Sequence, residues 1–351
     1  MLSPTLKEFL HEGTVIPAHP LALTENKELD EAAQRRLTNY YIQSGAGGIA
    51  VGVHTTQFEI RDPEHQLLEP VLRMAAEEIE KANLDRPFLK IAGVCGPTAQ
   101  ALKEAELAKS LGYDLVLLSN GGLGDYSEEE LLERTRKVAE IMPVFGFYLQ
   151  PSVGGRVFSF NFWKEFAEIE QVAAIKMAPF NRYQTLDVVR AVCESSRRDD
   201  IALYTGNDDN IVLDLLTSYS FQMDGKKVSK QIVGGLLGHW AVWTNKAVDL
   251  FEQLKEVRSS GTVEEKWLTL AQSVTDTNAV FFDAANQFKG CIAGINEVLA
   301  RQGLLKGNWC LSDHEVLSPG QSEEIDRIYR MYPELSDDEF VGNFLDGYKV
   351  K

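Results

Sequence analysis

Long apolar runs are missing from this 351-residue sequence. None approaches the roughly 20 residues that cross a bilayer, so no membrane partner is expected. The N-terminus, Met1-Leu-Ser-Pro-Thr-Leu-Lys-Glu, has no basic segment leading into an apolar one, so no signal peptide is expected either. Cysteine is scarce. Cys95, Cys193, Cys291 and Cys310 are scattered and form no C-x-x-C pair. This argues against a disulfide frame or a zinc site and for reduced thiols in a cytoplasmic protein. Basic residues are outnumbered, 35 Lys and Arg against 52 Asp and Glu, and the net charge of −17 speaks against a nucleic-acid partner. No H-x-H or H-x-x-x-H spacing supports His19, His54 and His239 as a metal set, so neither metal nor cofactor is expected. No G-x-G-x-x-G follows the first strand-like run, and the P-loop pattern is missing.

What is present is alternation. Strand-like runs at 13–18, 48–53, 87–94, 114–119, 143–149, 172–177, 201–205 and 230–235 are each followed by a stretch of helical character. Helices are predicted over 29–44, 64–83, 97–111, 127–141, 161–169, 183–193, 210–217 and 238–257. Strict alternation implies a parallel sheet with right-handed crossovers. Eight pairs within roughly 250 residues match a closed barrel. The fold class is therefore α/β, a (β/α)8 TIM barrel with a C-terminal helical extension. A doubly wound open sheet is the runner-up. The stretch 218–229 is too long for a simple connection, and Asp224-Gly225 signals a hairpin turn, so it reads as a small insertion. Ser259-Ser-Gly261 marks the expected boundary between a barrel, 1–258, and a helical region, 259–351. Helices are predicted there over 263–282, 286–302 and 323–331.

In such barrels the reactive groups stand at the C-terminal ends of the strands. Val172-Ala-Ala-Ile-Lys176-Met reads as a buried strand with a lysine near that end. Desolvation favours the neutral amine, a nucleophile toward carbonyl carbon. Tyr148 nearly ends the preceding strand. Side chains alternate across a strand, so Tyr148 shares a face with Gly146, and Lys176 with Ala174. If both faces point inward, phenol and amine meet, and the phenol can relay the protons that imine formation moves. Lys90, nearer the start of its strand, reads as structural or solvated. Asp208 and Asp209 read as loop-fixing carboxylates. The run Asn120-Gly-Gly-Leu-Gly124 is too common a pattern to mark a phosphate site.

Tyr148-Leu-Gln-Pro151, then Ile175-Lys176 with Lys176 28 residues after Tyr148, then Gly206-Asn-Asp-Asp209, resembles the dihydrodipicolinate synthase / N-acetylneuraminate lyase superfamily. That family carries Tyr-x-x-Pro, Ile-Lys and Gly-Asp-Asp on strands five, six and after seven. The resemblance runs over roughly residues 13–305. It implies a class I, metal-free mechanism in which Lys176 forms a Schiff base with pyruvate or another 2-oxo acid and Tyr148 relays protons. It also implies a homo-oligomer, a dimer or a tetramer. The family's Gly-Thr-Thr-Gly-Glu, whose threonines hold the substrate carboxylate, corresponds to Gly52-Val-His-Thr-Thr-Gln57. Two alignments compete: Val53-His54 without a gap, or Thr55-Thr56 after a two-residue slip. His19-Pro20 stands for the family's Thr-Pro. The arginine for a distal carboxylate falls on Val153, with Arg156 three residues on, so aspartate semialdehyde is not the expected substrate. The candidate substrate-binding residues are Thr55, Thr56, His54, His19, Asn207 and Gly235.

The expectation is a Schiff-base lyase, an aldolase or hydro-lyase. The alternative is a barrel that keeps Lys176 but serves as a 2-oxo acid or sugar-acid binding protein. A phosphate-binding barrel isomerase, using the backbone room at Gly234-Gly235, is a third reading.

Overall fold

The computed structural model describes residues 2–348. The chain divides into two compact units. One is built from Val15–Phe88 and the chain from Leu237 onward. The other is built from the N-terminal segment through Thr14 and from Leu89–Leu236.

The first of these holds β1 (Val15–Pro17) and β2 (Gly48–Val51). They run parallel: Ala18 pairs with Ala50, and His19 N–H donates to Ala50 O at 2.8 Å. The helix Glu31–Gln43 joins them, started by Asp30, whose carboxylate accepts from Ala33 N–H. The same unit carries the helix Thr244–Ser260 and the C-terminal helices Glu265–Phe281, Cys291–Arg301, Gln321–Met331 and Asp338–Gly347.

The other unit holds β3 (Leu89–Val94), β4 (Leu115–Leu118), β5 (Val144–Leu149), β6 (Val172–Ala178), β7 (Ala202–Thr205), β8 (Ser218–Met223) and β9 (Lys226–Leu237). From β3 to β7 each strand pairs in parallel with the next, and β7 pairs in parallel with β9. Only β8 runs antiparallel, to β9. Along the chain, eight parallel strands alternate with helices, and the fold is a (β/α)8 TIM barrel with a C-terminal helical extension. The strands are Val-, Ile-, Leu- and Ala-rich because a parallel sheet is covered on both faces. In β4 and β5 every residue is buried.

The insertion before the last barrel strand is a hairpin, turned by Asp224 and Gly225 at φ 50° and 77°. Positive φ at both central residues matches the right-handed twist of the flanking strands. Because its second strand continues into the barrel, β9 starts at Lys226 rather than near 230. The helix expected from 238 starts instead at Thr244. A short 3-10 turn, His239–Ala241, and Trp243 at φ 53° break the helical path first. Two helices were not anticipated: Pro4–Glu12, capped by Ser3, and Asp338–Gly347. Both are short and lie near a chain end. The helix Glu128–Ala139 starts on a capping box of Ser127 and Glu130, with both reciprocal bonds made. No helix among the described residues is long and apolar enough to cross a membrane.

Asp337, 1% exposed, ties several elements of its unit together. Its carboxylate accepts from the Tyr40 hydroxyl at 2.6 Å, from Asn245 N–H at 3.1 Å and from Gln302 Nε2 at 2.8 Å. Removing the acceptor leaves the buried Tyr40 hydroxyl and the part-buried Asn245 N–H unanswered, while Gln302 Nε2 keeps Asp338. Asp337→Ala is therefore expected to cost about 2–4 kcal/mol in urea unfolding, and Asp337→Asn, which keeps one acceptor oxygen, less.

Candidate active site

Lys176 lies in the C-terminal half of β6 and is 7% exposed. In register it faces Phe147 of β5 and Tyr204 of β7, and Tyr204 in turn faces Gly234 of β9. Paired residues of a parallel sheet point to one side, so these four share a face. Contacts agree. The Lys176 Nζ is 4.4 Å from the centroid of the Phe147 ring, and Phe145 meets Tyr204 edge-on at 5.2 Å. A Cβ built on Gly206 would come within 2.4 Å of Lys176 Cε, so only glycine leaves room for the lysine stem.

Burial pushes the Lys176 amine down from 10.5 to about 8, and the Asp208 carboxylate opposes that shift. Asp208 is itself 4% exposed. Beside it, Asn207 has its side chain fully engaged within the protein. Oδ1 accepts from Phe180 N–H at 3.1 Å, while Nδ2 donates to Thr185 Oγ1 at 3.2 Å and to Asp214 Oδ2 at 2.9 Å. Asp214 also accepts from Thr205 Oγ1 and Asn210 Nδ2 and pairs with Arg182. The loop carrying Asp208 is thus pinned from beneath. Asn207 was expected to bind substrate; its amide instead fixes this loop.

Tyr148 lies on the opposite face from Lys176, which corrects the expectation that the two share one. Its register partner is Met177. Its ring sits 5.1 Å from Trp163 and edge-on to Phe158 at 5.6 Å, and its hydroxyl accepts from Phe158 N–H at 3.3 Å. Gly146 shares that side: a Cβ there would lie 2.5 Å from Phe166 of the helix Phe160–Ala167. The cause is a register shift. Val144 pairs with Val172, but Phe145 pairs with Ala174, which makes Ala173 an extra residue on β6. A 28-residue spacing holds before the shift and 29 after it. A slip of one residue exchanges the faces of every side chain beyond it.

Gly235 is likewise displaced. It pairs with Thr205, on the side away from Tyr204, and the glycine level with Lys176 is Gly234. Lys90 lies near the start of β3, its backbone bonded to Asp114 on both sides. The Arg156 guanidinium donates to Tyr126 O at 2.6 Å and lies over the Phe158 ring, which holds the loop 120–126. Arg134, fully buried, donates to Gly96 O, Ser119 O and Asn120 Oδ1, and so joins the loops after β3 and β4.

In the other unit, His19 follows β1 and is fully buried. Its Nδ1 lies 2.8 Å from Pro20 O and 3.0 Å from Gln34 Nε2, and its Nε2 lies 2.9 Å from Thr38 Oγ1. Burial lowers its pKa to about 4, so the ring is neutral at pH 7. Thr56 is also fully buried. Its hydroxyl accepts from Gly52 N–H at 2.9 Å and Val53 N–H at 3.2 Å and donates to His19 O at 2.7 Å. Thr55 is buried, with its hydroxyl 3.5 Å from a Cβ built on Gly238. His54 is half-buried, its ring 6.0 Å from Phe58. Gln57 follows at φ 70°, a conformation that favours glycine. The resemblance has glycine directly after its two threonines, so this geometry supports the Thr55-Thr56 alignment. The Gln57 Oε1 accepts from Leu311 N–H at 2.6 Å.

Reasoning from the sequence missed Phe147, Gly206 as a steric requirement, Asp208 as the charge acting on Lys176, and Gln57. Gly206 and Asp208 stood within the quoted motif. Nothing local marks Phe147, because the register shift decides its face.

The folded value of Lys176 lies below the unfolded one. The folded chain therefore binds fewer protons between about pH 8 and 10.5, and stability rises with pH in that window; below about pH 8 the burial penalty is present in full. Reductive methylation of Lys176 should accordingly show a midpoint near pH 8 rather than 10.5, read by mass spectrometry. Gly206→Ala should displace the amine and abolish that early midpoint while the chain stays folded.

Residues 12–312 match the profile of the Dihydrodipicolinate synthetase family. An N-acetylneuraminate lyase of Escherichia coli (strain SMS-3-5 / SECEC) is 28% identical over 197 residues, 55% of this chain and 61% of that protein. The chain thus matches about three fifths of the length of such curated relatives. Among solved structures, dihydrodipicolinate synthase from Oceanobacillus iheyensis superposes with a TM-score of 0.74 at 18% identity, covering 93% of this chain and 99% of that one. N-acetylneuraminate lyase from Fusobacterium nucleatum complexed with pyruvate gives 0.70 at 16% identity, covering 93% and 99%. A prophage protein of the dihydrodipicolinic acid synthase family from Escherichia coli K12, in complex with pyruvate, gives 0.72 at 16% identity, covering 92% and 98%. With its family profile matched over most of its length, the chain belongs to the Dihydrodipicolinate synthetase family.

Proposed function

We propose that this protein is a class I lyase, an aldolase or hydro-lyase, that forms a Schiff base between Lys176 and pyruvate or another 2-oxo acid. The observation that carries this reading is the buried amine. At a pKa of about 8, about a tenth of it is neutral at pH 7, some 300-fold more than for an ordinary lysine. The neutral amine is the form that adds to a keto carbon. Two structurally similar proteins of this fold hold pyruvate, which supports the substrate class.

The reading assigns Asp208 the proton-handling role beside Lys176, because its carboxylate is the charge that acts on the amine. Tyr148 becomes a positioning residue, whose hydroxyl holds Phe158 N–H. In its own unit, the threonine turn is held by Thr56 through the backbone it ties together. Here Schiff-base chemistry needs only the amine and its proton traffic.

A second reading, a 2-oxo acid or sugar-acid binding protein, draws on the separation of Tyr148 from Lys176. Turnover distinguishes the two.

Pyruvate with borohydride should add a reduced adduct to Lys176, located by peptide mass spectrometry. Lys176→Ala should abolish it, and full activity in that variant would overturn the mechanism. Asp208→Asn should retain trapping but slow turnover by about 10²–10⁴, the range for general acid–base groups. Tyr148→Phe should slow it far less. The reverse order would return the relay to Tyr148.

A further inference from the structure

The nitrogen of Lys176 has an aromatic ring as its neighbour. Its Nζ lies 4.4 Å from the centroid of the Phe147 ring. Phe147 is 4% exposed and pairs with Lys176 in register, so the ring is held in place by the sheet itself. On the stem's other side stands the bare Cα of Gly206. The lysine is thus confined between an aromatic face and backbone. An aromatic face carries the negative end of a quadrupole and attracts a cation, while a neutral amine gains little from it.

We propose that Phe147 is a catalytic residue of this site, its ring face stabilising the positive charge that forms on the Lys176 nitrogen when a 2-oxo acid becomes an iminium. The inference rests on the Schiff-base reading. The neutral amine adds to the keto carbon and a C–N bond forms. The keto oxygen takes up two protons, one from the nitrogen and one from solution, and leaves as water. The nitrogen keeps one hydrogen and carries one positive charge in the C=N bond. Above a pH of about 8 the nitrogen rests neutral before the step, and after it the nitrogen is a cation in a water-poor setting. The interaction with the ring is therefore stronger after the step than before, which is the condition for an interaction to accelerate it. A leucine would fill similar space without the quadrupole.

Substituting Phe147→Leu separates charge stabilisation from packing only in part. A second series therefore introduces 4-fluoro-, 3,5-difluoro- and 3,4,5-trifluorophenylalanine at position 147, which weakens the ring face stepwise at nearly constant shape. Two readouts are taken on the full chain. The first is the midpoint pH of Lys176 in reductive methylation, which needs no substrate. The second is the fraction of Lys176 held as iminium with pyruvate, read by borohydride trapping. Along the fluorinated series the midpoint should fall steadily, and the iminium fraction at subsaturating pyruvate, read well above that midpoint where the amine rests neutral, should fall by about 2- to 30-fold in total. Phe147→Leu should fall at the weak end of that series. A flat response in both readouts across the fluorinated rings overturns the proposal, even if Phe147→Leu is impaired, because packing alone then accounts for the loss. A midpoint that moves with an iminium fraction that does not would also overturn it, leaving a ring that tunes the amine without acting on the intermediate. If the unsubstituted protein traps neither pyruvate nor any other 2-oxo acid, the Schiff-base reading itself fails, and the methylation midpoints still show whether ring and nitrogen interact.

Discussion

An amine kept out of water, between the ring of Phe147 and the Cα of Gly206, is the constraint on which the site depends. Isolated charge is costly in such surroundings, so the lysine yields part of its proton affinity. Each surrounding feature serves this. β6 must turn Lys176 to the same side as Phe147 and Tyr204, and the register on both flanks does so. The residue after β7 must lack a side chain, because a Cβ at Gly206 would occupy the lysine's own path. A carboxylate must approach without fully restoring the proton, and Asp208 does this from the next position but one.

Around that amine the polar groups are arranged to make loops rigid. Asp214 is fully buried and gathers Thr205, Asn207, Asn210 and Arg182, so the segment bearing Asp208 is fixed from below. Arg134 does the same for the loops after β3 and β4 through two backbone carbonyls and Asn120. In the other unit, Thr56 gathers the backbone of Gly52, Val53 and His19. Buried polar groups with their partners in place hold one conformation, because any other leaves a donor or acceptor unanswered. Several residues that look like ligand-binding groups in the sequence, His19, Asn207 and Arg156 among them, work in this way here.

The barrel was legible because its signal is long. Eight apolar runs alternate with helical stretches, and the error of a few residues at any boundary leaves the count intact. Lys176 was legible for a related reason: a charged residue inside an otherwise apolar strand has few explanations. Tyr148 was misread because the face of a side chain depends on register. The extra residue at Ala173 carries no mark in an Ala-Ala pair, yet it turns Tyr148 toward Trp163 and Phe147 toward the lysine. The same parity separates Gly234 from Gly235. The late start of the helix at Thr244 reflects the left-handed Trp243, which propensity alone does not foresee.

What the linear chain determined is therefore what short-range periodicity and residue type can encode: an alternating α/β barrel, its helical tail, the hairpin turned by Asp224-Gly225, and a lysine placed where a strand ends. Which groups surround that lysine was decided by the pairing of strands far apart in sequence. A one-residue offset in such pairing costs little locally and leaves composition unchanged, but it inverts every face downstream. The neighbours of a reactive group are set by that offset, and so became visible only once the sheet was assembled.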